Sequence, residues 1–152
     1  MERRKFLTGA AVAGAATSLA APSVAQGKIE MAIVATWPRD FPGLGLPAQR
    51  LAARIQELTD GEIQVTYFAA GEKVGAFDSF DEVASGNSQA YIGADYYWKG
   101  KHPGWAPFTA IPFGLTAGEM DAWTKYAGGQ QLWDELAGEF GLKNFAMGNT
   151  GV

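Results

Sequence analysis

The chain has 152 residues, of which 47% are hydrophobic and 18% charged, with 20 Gly and 7 Pro. That is one domain's length with enough apolar content for a packed core, which excludes intrinsic disorder and collagen-like repetition. A net charge of -4, no basic patch, no Cys and a single His102 argue against nucleic-acid binding. They also exclude disulfides, zinc–thiolate sites and thiol nucleophiles, and make His-based catalysis a poor expectation.

Residues 1–25 read as an address rather than as fold. Arg3, Arg4 and Lys5 precede a weakly apolar, Ala/Gly-rich run, and the small residues Ser23 and Ala25 stand before Gln26. A charged start, apolar middle and small-residue end is the secretory pattern, and adjacent arginines favour the twin-arginine route to the periplasm. The run is too short and too rich in Ala and Gly to anchor in a membrane. Its removal takes away Arg3, Arg4 and Lys5 together with Glu2, moving the net charge from -4 to -6.

The remainder, residues 26–152, alternates strand and helix signals. Residues 29–36 form an apolar, β-branched strand that runs into Trp37-Pro38. A breaker-rich loop follows, then a helix over residues 48–58 with Leu51, Ala52, Ile55 and Leu58 at helical spacing. Asp60-Gly61 ends it, the Gly suiting a left-handed cap. Ile63, Val65 and Tyr67 alternate with Gln64 and Thr66 as a strand, and Phe77, Phe80, Val83 and Ala84 mark a helix. A short strand over 90–94, an irregular crossing over 95–116, helices over 117–126 and 130–140, and a last strand over 142–147 complete the order.

Strands joined by helices of this length predict an α/β fold with a mostly parallel sheet flanked by helices. Ligands then bind beyond the strand carboxyl ends, where the loops over 37–41, 93–99 and 148–151 converge. Tyr96, Tyr97 and Trp98 follow a strand directly; phenol hydroxyls there donate to a carboxylate, or the rings simply pack under the next loop. Trp37 and Phe41 flank Pro38 and serve either as a pocket wall or as anchors of a Pro-rich loop. Asn149, between Gly148 and Gly151, offers an amide to an anionic oxygen or makes a plain turn.

Other patterns carry less. Gly43-x-Gly45 lacks the third Gly of a dinucleotide fingerprint, and the stretch after Gly71 lacks the Lys-Ser/Thr of a phosphate loop. Asp78, Asp81 and Glu82 read as an acidic helix start, Glu135 and Glu139 as a solvated face, and His102 as structural. An acid/base pair of Asp40 and Asp95 across the strand ends is the basis of an alternative, a small exported enzyme.

In succession, Arg3-Arg4, the Ala25-Gln26 junction, Ala69-Ala70-Gly71-Glu72, Tyr96-Tyr97-Trp98-Lys99-Gly100-Lys101, Ile111-Pro112-Phe113-Gly114-Leu115, Ala122-Trp123, Gly128-Gly129 and Gly148-Asn149-Thr150-Gly151-Val152 resemble a known family. It is that of the periplasmic solute-binding proteins of TRAP transporters, the DctP-like superfamily, nearest its 2-oxo-acid-binding TakP type. The resemblance implies a non-enzymatic, two-lobed receptor that closes on a small organic acid and delivers it to TRAP membrane permease subunits. It places Tyr96, Tyr97 and Asn149 at the ligand, with Trp98 standing where a third Tyr is common. It also implies a clamping Arg in a second lobe and, in the 2-oxo-acid type, a metal ion that bridges ligand and protein.

The chain stops at Val152, before that Arg and the metal-binding Gln expected just beyond. It therefore reads as an N-terminal lobe truncated before the second, carrying no cofactor of its own. Its uncovered interface would favour a homodimer, and a lobe that binds nothing alone is a further alternative.

Overall fold

In the computed structural model, which describes residues 27–149, the β-branched run forms a central strand, β1 (Ile29–Ala35). Helix α1 (Gly45–Leu58) returns the chain to β2 (Ile63–Phe68), which pairs parallel with β1 from Ile29↔Ile63 to Val34↔Phe68. A 3-10 turn (Ala76–Asp78) and the short α2 (Ser79–Ala84) lead to β3 (Ala90–Ile92). This strand pairs parallel with the other edge of β1, from Ile33↔Ala90 to Ala35↔Ile92. The order β2-β1-β3 makes the winding change direction between β1 and β3. Two 3-10 stretches (Asp95–Trp98 and Pro103–Phe108) fill the expected irregular crossing, before α3 (Ala117–Tyr126) and α4 (Gly129–Gly138). The parallel sheet flanked by helices is the architecture that the sequence predicts. The expected leader, residues 1–25, lies outside the described residues.

Strand alternation sorts the core into two layers. Ile33, Ala35 and Ile92 pack against Ala48 and Ala52 of α1. The helix presents small residues, so its backbone approaches closely; a Cβ on Gly45 would meet Pro38 O at 2.6 Å. The expected stripe is corrected here. Leu51 and Leu58 are 39% and 68% exposed, because contact through Gly45, Ala48 and Ala52 turns them outward. On the opposite face Phe80, Trp98, Trp105, Trp133, Leu136 and Ala137 cluster with Tyr91 of β3. Phe80 is the hub: its ring lies 5.3 Å from Phe140 and 5.4 Å from Trp98, centroid to centroid. Large aromatic areas of this kind supply much of the burial energy.

Local signals explain the element ends. Gly61 (φ +78°) takes the left-handed conformation expected of it and donates its N–H to Gln56 O at 2.9 Å. Thr116 and Glu119 form a reciprocal capping box at the start of α3.

The expected strand over residues 142–147 is absent from the structure. Leu142 N–H donates to Ala137 O, Asn144 O accepts from Gln130 Nε2, and Lys143 pairs with Asp134, so this stretch spends its polar groups on α4. Apolar alternation makes a strand only when a sheet edge receives it; here Leu142 joins the aromatic core and Phe145 stays 73% exposed. Among the described residues no helix is long and apolar enough to cross a membrane.

Candidate functional site

Because all pairings are parallel, the carboxyl ends of the strands share one edge of the sheet. Thr36 joins two of them, its N–H and hydroxyl both donating to Ile92 O, at 3.0 and 3.3 Å. A reversal of winding between β1 and β3 opens a crevice outside these ends. The loop after β1, with Trp37 and Phe41, borders one side, and the turn after β3, with Tyr96 and Tyr97, borders the other.

The tyrosine turn is braced by backbone and ring contacts. Tyr97 N–H donates to Ala94 O at 3.0 Å, and the Tyr96 and Tyr97 rings meet edge-on with centroids 4.7 Å apart. Tyr97 is half-buried against the aromatic core and Phe77, whereas Tyr96 is 38% exposed. The neighbouring Tyr97 phenol, then burial, pushes the Tyr96 pKa up, so its hydroxyl stays protonated and able to donate. Trp98 is buried and gives its indole N–H to Phe77 O at 2.9 Å; it buttresses the turn from below.

The two aromatics of the other rim divide their work. Trp37 packs against the α1-side core, and its carbonyl accepts from Ala70 N–H. Phe41 is 44% exposed, and its carbonyl receives Gly45 and Leu46 N–H to begin α1. Tyr96, Tyr97, Trp37 and Phe41 thus share one edge of the sheet. Asn149 is exposed on the segment that follows Asn144, and Thr150 and Gly151 lie outside the described residues.

Two polar pairs escaped the sequence reading. Arg39, after β1, donates from Nε to Glu72 Oε1 at 2.8 Å and from Nη2 to Glu72 and to Tyr67 O. The Arg39 hydrogen bonds, followed by Ala69 N–H, hold the Glu72 carboxyl down at about 2. The guanidinium also covers the Tyr67 ring at 5.3 Å. The signal lay in the topology: opposite charges after adjacent parallel strands end on the same edge.

The second pair is Asp95 with Asn144, 5% and 8% exposed, in which Asn144 Nδ2 lies 3.4 Å from each carboxyl oxygen. Burial pushes the Asp95 carboxyl up to about 6; Trp133 and Asn144 oppose that rise. The Trp133 indole N–H approaches without completing a strict hydrogen bond, and the Tyr91 hydroxyl is likewise buried without a partner. A carboxyl with such a pKa has the chemistry of a general acid, but its burial keeps it from a substrate, and Asp40 is exposed on another loop. The expected Asp40–Asp95 pair is therefore not assembled. His102 Nδ1 accepts Gly104 N–H at 3.1 Å and caps a 3-10 stretch.

Two open clefts, of about 370 and 380 Å³, lie elsewhere, against Phe108, Trp123 and Leu136 and against Ile111, Phe113 and Met120. The tyrosine edge is a wall, not an enclosed cavity.

Known proteins share this fold. The family model DctP, described as bacterial extracellular solute-binding protein, family 7, matches residues 33–152. A monocarboxylate 2-oxoacid-binding periplasmic protein of Nostoc sp. is 34% identical over 160 aligned residues, which cover 100% of this chain and 44% of that protein. A TRAP periplasmic solute-binding protein from Pseudoalteromonas atlantica, solved with sodium and pyruvate, is 36% identical with a TM-score of 0.72. One from Colwellia psychrerythraea, solved with calcium and pyruvate, is 32% identical with a TM-score of 0.72. Each of these two matches covers 75% of this chain and 35% of the solved one, so the chain spans less than half the length of these relatives. The chain belongs to the DctP family of bacterial extracellular solute-binding proteins.

Proposed function

We propose that this chain is one lobe of a periplasmic receptor that captures a 2-oxo acid of about pyruvate's size and hands it to a TRAP-type permease. The observation that carries this reading is the likeness, at 36% and 32% identity, to two solute-binding proteins solved with pyruvate. The tyrosine wall at the β1–β3 crevice supports it chemically. Tyr96, Tyr97 and Asn149 supply donors for carboxylate and keto oxygens, while Trp37 and Phe41 supply apolar walls. The solute is bound and released unchanged, residues 1–25 direct export, and membrane permease subunits take over the solute.

Among the described residues no group of three His, Asp or Glu side chains gathers to hold a metal ion. The described residues therefore supply no carboxylate or imidazole cluster for an ion.

The test is pyruvate titration of the exported protein, expressed from its whole reading frame, by calorimetry and by melting temperature, with and without sodium or calcium. A ligand that prefers the native state raises the melting temperature. Saturable pyruvate binding, with glucose inert, is expected; no stabilisation at millimolar pyruvate under any of these conditions overturns the reading.

A further inference from the structure

We infer that Asp95 is a positioning residue for solute capture: by holding Asn144 it fixes the segment that leads to Asn149 against the turn that carries Tyr96 and Tyr97. This rests on the receptor reading above. Asp95 opens the 3-10 turn Asp95–Trp98, immediately before the tyrosines, yet its side chain faces the interior and is 5% exposed. Asn144 meets both of its oxygens at 3.4 Å. From the other side, Asn144 O accepts Gln130 Nε2 at 2.9 Å, and Gln130 is itself held by Asp134 at 2.8 Å. A continuous line of polar contacts therefore runs from α4 through Asn144 to the tyrosine turn.

Stability alone does not call for this carboxyl. A buried carboxyl is an expensive way to fill a core that is otherwise aromatic, and breaking a buried polar pair from one side leaves the other partner uncompensated. The groups that face Asp95 are donors: Asn144 on the last described segment, Trp133 Nε1 on α4, and near it the Tyr91 hydroxyl on β3. The two latter are buried and complete no hydrogen bond of their own. Among these neighbours Tyr91 is the titratable group, and burial, then the charge of Asp95, pushes its pKa up, so it stays neutral. The pocket is built to keep one acceptor in place, and that acceptor ties together the two segments bearing the proposed ligand donors.

The experiment uses Asp95→Ala, Asn144→Ala, their double variant, Asp95→Asn, Asn144→Asp and the swapped pair Asp95→Asn/Asn144→Asp. Pyruvate affinity and amide hydrogen exchange are measured on the protein from its whole reading frame. Each Ala variant should bind pyruvate about tenfold more weakly, and the double variant no worse than either single one. Asp95→Asn, whose amide oxygen still accepts, should stay near wild type. Asn144→Asp should weaken binding by facing two carboxyls, and the swap should restore it. Amides 143–149 and 96–98 should exchange faster in the Ala variants, while those of α1 keep their rates.

Additive penalties, an ineffective swap, or unchanged exchange at 143–149 overturns the inference. If the Ala variants do not fold, the Asn144→Asp and swap comparison decides. If wild type itself fails to bind pyruvate, the capture reading falls separately, and exchange alone decides whether Asp95 anchors the segment.

Discussion

Gly93 leaves the space that Trp98 fills: a Cβ at position 93 would come within 2.6 Å of the Trp98 Cη2 and 3.1 Å of the Thr36 methyl. The indole cannot retreat, because its N–H is fixed to Phe77 O and its ring is packed against Phe80 and Tyr91. Gly93→Ala should therefore destabilise the lobe by about 1–3 kcal/mol, the usual cost of overpacking a filled core. Urea unfolding checks it; a variant as stable as wild type would mean that the indole has room to shift.

Asp95 makes a pH prediction of definite sign. Its carboxyl binds a proton more tightly when folded, at about 6, than at its ordinary 3.8. The stability it contributes is full below the ordinary value and is lost as pH rises through 6. The shift corresponds to roughly 3 kcal/mol. Asp95→Asn removes this loss and keeps an acceptor for Asn144, so the variant should gain on wild type between pH 4 and 7. Urea midpoints at each pH decide it, and parallel curves for the two proteins would contradict the assignment.

Glu72 behaves in the opposite sense. Its folded value of about 2 lies below the ordinary 4.5, chiefly through its hydrogen bonds with Arg39. Its contribution is present above the ordinary value and is lost as pH falls toward 2. The pair is solvent-exposed, at 45% and 38%, so Arg39→Leu should change the melting temperature little at neutral pH. The Glu72 carboxyl resonance, followed by NMR, should nevertheless titrate at a higher pH in that variant. Titration at an unchanged pH would show that Ala69 N–H alone holds the carboxylate.

What could be read from the sequence was whatever depends on near neighbours. The β-branched run of β1, the alternation of β2 and the Asp60-Gly61 stop each declare themselves within a few residues. So does α3, where Thr116 and Glu119 close a capping box across one turn. What could not be read depends on remote partners. Leu51 and Leu58 fit the helical period, but the close approach of Gly45, Ala48 and Ala52 sets which stripe is buried. Residues 142–147 alternate like a strand, yet α4 takes up their polar groups. The sequence pairs Asp95 with Asp40 because both follow strand ends, but aspartates seldom go inside, and only the fold buries Asp95 and brings Asn144 to it.

The candidate site itself is tested most directly by removing one oxygen. The Tyr97 ring is held by Phe77 at 5.2 Å, Trp98 at 6.0 Å and Tyr96 at 4.7 Å, so Tyr97→Phe should leave the packing and the melting temperature unchanged. If its hydroxyl donates to the solute carboxylate, the variant loses a hydrogen bond to a charged group, worth about 1.5–3 kcal/mol. That is roughly a tenfold to 150-fold weaker Kd for pyruvate. Asn149→Ala should cost a similar amount, whereas Trp98→Phe should act on stability, since Trp98 is buried. Calorimetry on the protein from its whole reading frame separates these effects. Wild-type affinity in both Tyr97→Phe and Asn149→Ala would move the solute away from these two donors, because a hydrogen bond to a charged group that is lost must show in the affinity.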